Sequence, residues 1–169
     1  IIHGLLKGGA ADFVGKYPEA RNCDLRPRGG PRPAGPPIMI GSSSPRMLGL
    51  TARYADQWNI FHTSPETLAE RRELVDAACR EAGRDPATLV RTCSVRVNLL
   101  GRESRQGAAN PPLGGTPEEI ARGLLAYADA GATHLQLIPD PSTIAGIEAL
   151  GPVLAAFDRL AAREARPVT

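Results

Sequence analysis

Short apolar runs and amphipathic stretches follow one another along this chain in a regular order. Residues 38–40 are an apolar run behind two prolines, 45–55 carry apolar positions at helical spacing, and 57–61 form a second short run. Ser64-Pro65-Glu66 opens a helix that runs to about Ala82 and stops at Gly83, with Leu68, Val75, Ala78 and Ala82 on one face. Residues 90–99 alternate strictly: Cys93, Val95, Val97 and Leu99 share one face, and Thr92, Ser94, Arg96 and Asn98 share the other. Thr116-Pro117-Glu118-Glu119 reads as a capping box with proline at the first helical position. The helix behind it turns Ile120, Leu124 and either Tyr127 or Ala128 inward and ends at Gly131. Residues 133–138 alternate again, with Leu135 and Leu137 opposed to His134 and Gln136. After the Pro139-Asp140-Pro141 turn, 143–165 closes the chain as a helix that Gly151-Pro152 kinks or splits.

This order is strand–helix repeated four times, with crossovers long enough to join parallel strands. It predicts an α/β fold of four βα units over 38–165, preceded by an irregular lead-in over 1–37, in one domain. A half of a (β/α)8 TIM barrel and a doubly wound open sheet share the pattern. The alternation favours the barrel, whose helix-covered outer face must be apolar, so that Thr92, Ser94, Arg96 and Asn98 point into the lumen. Ligands bind at the carboxyl ends of barrel strands, which brings Asn98 nearer a pocket than Ser94. Arg96, Asn98 and Gln136 are therefore candidate lumen contacts, and hydrogen-bonded core residues without a ligand are the equal alternative. His134 opens its strand and reads as structural, whereas His62 follows its strand and reads as a solvated loop residue.

In the lead-in, 1–6 resembles a helix end broken at Gly8-Gly9. Residues 21–37 are rich in proline and predict an extended, solvated connector. Opening on a helix end predicts a piece of a longer fold, since a complete barrel takes about 250 residues.

The chemistry concentrates at Gly41-Ser42-Ser43-Ser44, between the first strand and its helix. There, backbone N–H groups and the positive end of the helix dipole meet at a strand's carboxyl end, where an anion is held. Ser44 before Pro45 is placed as an N-cap. A capped helix with no ligand has the same signature.

The surrounding residues decide between the two. Pro36, Pro37, Ile38, Ile40 and Gly41, then Pro45, Arg46, Met47 and Leu48, then Ala52, Arg53, Tyr54, Ala55, Asp56, Trp58 and Asn59 form a string. It resembles that of the bacterial luciferase-like flavin and deazaflavin oxidoreductases, with Ser42 where many relatives have a second glycine. Phe13-Val14-Gly15-Lys16-Tyr17 is similar to that family's short F-x-G-x-Y connection. The resemblance implies a carboxyl-terminal half of a luciferase-like barrel, an oxidoreductase or monooxygenase using FMN or coenzyme F420 on a small organic substrate. It assigns Gly41, Ser42, Ser43 and Ser44 to the cofactor phosphate, Arg46 to electrostatic assistance, and Asn59 to the ring or substrate pocket. Trp58, on the opposite face from Asn59, is assigned to packing. The catalytic acid and base are unassigned.

Composition narrows the partners. A net charge of +2 over 169 residues gives no argument for nucleic acid or an anionic membrane surface. No apolar run reaches the length of a membrane span. Cys23, Cys79 and Cys93 lack CxxC spacing and read as reduced thiols of a cytoplasmic protein, and the scattered His3, His62 and His134 predict no metal site. The loop over 101–115 leaves a strand on the ligand-binding side, where Arg102 and Arg105 serve either an anionic ligand or the solvent. A half barrel has unpaired edges, which predicts a homo-oligomer or a missing amino-terminal half. The alternative function is a noncatalytic flavin-binding or assembly subunit, or a truncated product inactive alone.

Overall fold

The computed structural model describes residues 1–26, 35–61, 63–101 and 111–164. Its centre is a parallel sheet built from β3 (Met39–Gly41), β4 (Gln57–Phe61), β5 (Val90–Asn98) and β7 (His134–Pro139), with the two-residue β6 (Leu113–Gly114) paired near the carboxyl end of β5. Helices α1 (Pro45–Tyr54), α2 (Pro65–Glu81), α3 (Pro117–Asp129), α4 (Ile144–Glu148) and α5 (Leu150–Glu164) connect and follow these strands. The parallel strands β3, β4, β5 and β7 neighbour one another in chain order, and α1 packs on α2, α2 on α3 and α3 on α5. Parallel crossovers are right-handed as a rule, so strands added in one direction without a reversal place their helices on one face of the sheet. A doubly wound sheet would reverse its order and use both faces, so the arrangement is a barrel sector.

Registry shows why the sequence alternates. Ile40, Trp58, Ile60, Cys93, Val95, Val97, Leu135 and Leu137 lie on the helix side, and all belong to or pack on the hydrophobic core. Trp58 and Val97 are wholly buried. Met39, Asn59, Thr92, Ser94, Arg96 and Gln136 lie on the other side. That inner face is concave: Gln136 Nε2 on β7 comes within 3.9 Å of Met39 Sδ on β3. In a flat sheet strands three steps apart would be separated by roughly 14 Å. Four βα units therefore form a half barrel whose lumen face is polar.

Several boundaries differ from the sequence reading. Residues 10–24 are not a mere connection and irregular lead-in, because β1 (Ala10–Val14) and β2 (Glu19–Asp24) form an antiparallel hairpin with a register shift between Ala11 and Phe13. Mostly exposed, these strands lack the strict apolar–polar alternation that reveals a strand. Within the 101–115 loop, Leu113–Gly114 pairs with β5, and residues 102–110, with Arg102 and Arg105, lie outside the described residues, as does His62. The last helix divides at Ala149 rather than at Gly151-Pro152. Pro152 sits in the first turn of α5, where a missing N–H breaks no helical bond. On α2 the buried set is Leu68, Val75 and Cys79, while Ala82 is an exposed C-cap, and on α3 Tyr127 is inward and Ala128 outward. Thr116 and Glu119 form both bonds of the capping box.

Candidate functional site

β3 is fixed at both ends by the residues that follow α1. Asp56 accepts a hydrogen bond from Ile38 N–H at 2.7 Å and another from Lys7 Nζ at 2.8 Å, joining the amino-terminal segment to the start of β3. Burial pushes the Asp56 carboxyl up, but the Lys7 and Ile38 bonds and the charges of Lys7 and Arg84 outweigh it and leave it below its ordinary value. At the exit of β3, Trp58 Nε1 donates to Ser42 O at 2.8 Å. The completely buried indole thus ties the turn to the core. Arg84 closes the other end of the unit by donating to Ala55 O at 2.7 Å and Ala52 O at 3.3 Å, at the carboxyl terminus of α1.

The turn so held is open to ligands. Gly41 is the last residue of β3 rather than the first of the turn, and it pairs in register with Asn59, so two assigned residues stand side by side on the inner face. Among the described residues, a methyl group at Gly41 would meet only Asn59 O, at 3.6 Å. Gly41, Ser43, Ser44 and Arg46 are exposed, at the carboxyl end of the strand. Ser44 occupies the N-cap position but its side chain makes no capping bond. Instead the Ser42 hydroxyl reaches forward to Ser44 N–H at 3.3 Å and leaves the cap unfilled. The first intrahelical bond is Leu48 N–H to Ser44 O, and Pro45 has no N–H. Among the described residues the N–H groups of Arg46 and Met47 therefore have no capping or helical acceptor, the condition in which a helix start suits an anion.

The remaining candidates divide into two groups. Asn59 Oδ1 accepts from Thr92 Oγ1 at 2.7 Å, and Gln136 Oε1 accepts from Ser94 Oγ at 2.8 Å, so both amides are oriented across strands by buried hydroxyls. Their N–H donors are directed by those bonds toward the lumen side of the sheet. Arg96 points instead into a cleft of about 580 Å³ at the carboxyl ends of β4, β5 and β7, lined by Phe61, Arg96, Ile138, Pro139, Asp140, Pro141 and Ser142. Arg96 donates to Asp140 Oδ2 at 2.6 Å. Asn98 is partly buried at the end of β5, in register with Gly114. His134 is exposed at the start of β7, away from this cleft. Sequence reasoning missed Asp140 and Phe61. The first was visible only as a turn residue, and pairing it with Arg96 needs the β5–β7 register.

Other buried polar groups belong to the scaffold. Tyr127 donates to Thr63 O at 2.7 Å, and burial pushes its hydroxyl up to about 12. Burial likewise raises the Cys79 thiol and pushes that of Cys93 up to about 11. The Arg91–Asp76 ion pair lies at the amino-terminal end of β5, the end that serves stability in barrels.

A family profile described as luciferase-like monooxygenase matches residues 1–108. The chain belongs to the luciferase-like monooxygenase family. Among curated relatives, a phthiodiolone/phenolphthiodiolone dimycocerosates ketoreductase of Mycobacterium kansasii is 38% identical over 69 residues, 40% of this chain and 18% of that protein. The Mycobacterium tuberculosis ketoreductase of the same description is 38% identical over 68 residues, with the same coverage. The matched segment is thus a small part of those relatives. Solved structures agree on the fold. A coenzyme F420 dependent tetrahydromethanopterin reductase from Methanopyrus kandleri superposes with a TM-score of 0.72 at 15% identity, over 92% of this chain and 60% of that one. An F420-dependent secondary alcohol dehydrogenase gives 0.68 at 16% identity over 90% and 58%. A long-chain alkane monooxygenase gives 0.64 at 14% identity over 94% and 48%. The luciferase-like chain described here therefore spans about half to three fifths of these barrels, in keeping with its four βα units. Among its described residues no helix is long and apolar enough to cross a membrane.

Proposed function

We propose that this chain is the phosphate-binding half of an oxidoreductase that uses FMN or coenzyme F420 to oxidise or reduce a small organic substrate. The observation that carries the proposal is the clamped, uncapped turn after β3. Trp58 holds Ser42 O in place, Ser44 leaves the first turn of α1 unfilled, and among the described residues a Cβ at Gly41 would meet no side chain within 4 Å. Both cofactors bear a phosphate group, and relatives of the same fold are described as dependent on F420 or as holding a modified FMN.

The donor set fits such a group. The N–H groups of Arg46 and Met47, the Ser43 and Ser44 hydroxyls and the Arg46 guanidinium would hold the phosphate, with Ser42 shaping the turn. Gly41 keeps the approach clear, and Asn59, fixed by Thr92, offers its amide to the ring or substrate. When bound, the cofactor supplies the hydride or oxygen chemistry, and the protein supplies position and polarity. Titration with FMN and with F420, followed in the visible spectrum, tests the proposal. A saturable spectral change with either supports it, and none with both opposes it.

A second reading concerns partners. Among the described residues β3 pairs only with β4, and β7 only with β5, so each edge of the half barrel has a free side. The matching βα units, from the same polypeptide or from a second copy, would complete the barrel in the cytoplasm. Without them the chain would serve as a cofactor-binding or assembly subunit. Sedimentation of the chain at rising concentration distinguishes a self-associating half from a monomer.

A further inference from the structure

At the opposite end of α1 from the phosphate turn, beside the amino-terminal ends of β3 and β4, lies a pocket of about 430 Å³ with a concentration of positive charge. His3, Lys7, Arg53, Tyr54, Asp56 and Arg84 stand around it. Lys7, Arg53 and Arg84 are cations and Asp56 is the one carboxylate among these lining residues, in a chain whose net charge is only +2. Cations near a helix end are ordinarily explained by the last carbonyls, which attract positive charge. Here Arg84 fills that role. Its Nη1 donates to Ala52 O and Ala55 O, and its Nε and Nη2 donate to Thr88 Oγ1 at 2.9 Å and Thr88 O at 3.0 Å. The end of α2 is closed by backbone, with Gly83 N–H on Arg80 O and Arg84 N–H on Cys79 O. Asp56 is committed to Ile38 N–H and Lys7 Nζ. Arg53 is left over: it is exposed, and among the described residues it has no recorded ion pair or hydrogen bond.

Two features select what this guanidinium would hold. Once Asp56 has neutralised one cation, two positive charges remain, which suits a dianion. The five N–H donors of a guanidinium form a fork that matches the oxygens of a phosphate. Beside the cations, the His3 and Tyr54 rings pack with their centroids 5.6 Å apart, and Tyr54 is 47% exposed. An aromatic body joined to the phosphate would bury its ring against that pair. We propose that this pocket binds an aromatic phosphate monoester, with Arg53 holding the phosphate in the field of Lys7 and Arg84 and Tyr54 taking the ring. The site is separate from the cofactor turn and does not depend on the oxidoreductase reading.

Amide NMR of the whole chain, titrated with phenyl phosphate and separately with inorganic phosphate at constant ionic strength, tests the proposal. Both ligands should shift the signals of Arg53, Tyr54, Ala55 and Arg84, and phenyl phosphate should bind tighter by about threefold or more. Arg53→Gln should weaken both ligands by about tenfold. Tyr54→Leu should bring phenyl phosphate down toward the affinity of inorganic phosphate and leave the latter unchanged. Melting curves verify that each variant is folded, and a structural defect would weaken both ligands together, so the unequal response marks the ring contact. Phosphate also suits the turn after β3, and Gly41→Val run in parallel tells the two sites apart. The proposal is overturned if neither ligand binds, if Arg53→Gln leaves both affinities within twofold, or if Tyr54→Leu weakens both ligands equally. Shifts confined to Ser43, Arg46 and Met47 that vanish in Gly41→Val would likewise overturn it, because the ligand would then sit on the turn.

Discussion

Replacing Gly41 with valine separates the needs of the fold from those of the ligand. A side chain there meets Asn59 O at 3.6 Å, an ordinary contact, and Gly41 does not use a left-handed backbone conformation. Valine favours strands where glycine weakens them, so Gly41→Val should change stability by no more than about 1 kcal/mol in either direction. Binding should respond differently. The isopropyl group would project onto the inner face beside Asn59, at the entrance to the turn. Losing one or two charge-assisted bonds from backbone N–H to phosphate costs about 1.5–3 kcal/mol each, which is at least tenfold in affinity. Urea denaturation and cofactor titration on one preparation give both quantities. Unchanged affinity in a variant that retains its stability would refute the assignment of Gly41 and the turn to the phosphate.

Other predictions concern the clamps around that turn. The Asp56 carboxyl lies below its ordinary value in the folded chain, so its stabilising contribution is present above the unfolded-state pKa and disappears as pH falls through the folded one. Asp56→Asn should therefore flatten the acid side of the stability profile, measured as urea midpoints between pH 7 and pH 3, and an unaltered slope would contradict the clamp. Arg84→Met removes the donors to Ala52 O and Ala55 O and should cost about 1–3 kcal/mol, and a thermal melt unchanged from the wild type would contradict this. With burial raising the Cys79 and Cys93 thiols, iodoacetamide at pH 8 should modify the partly exposed Cys23 first, and peptide mapping that found Cys93 alkylated early would count against its burial.

The half barrel was legible because its strands obey a simple rule. The residues of 90–99 alternate between core and lumen, and both sets emerged on their expected faces. The string ending in Asp56, Trp58 and Asn59 was also readable, but its physical role was not. Asp56 fixes the entry of β3, Trp58 fixes its exit, and Asn59 stands beside Gly41, relations that join residues 16 to 18 positions apart. The β1–β2 hairpin escaped because exposed strands need no apolar face, so periodicity carries no signal for them. Ser44 was correctly placed at an N-cap, yet its hydroxyl does not cap, because the Ser42 hydroxyl engages the turn instead. Asp140 escaped for a different reason. An ion pair spanning 44 positions depends on strand order and register, neither of which a single strand discloses.

The most direct examination of the phosphate turn is an amide NMR map of the chain with FMN, and separately with F420. Binding should shift the N–H signals of Ser43, Arg46 and Met47 most strongly and should broaden or move the phosphorus resonance of the cofactor. Shifts confined to the amino-terminal ends of the strands, around Arg91 and Asp76, or a spectrum indifferent to both cofactors, would contradict the account.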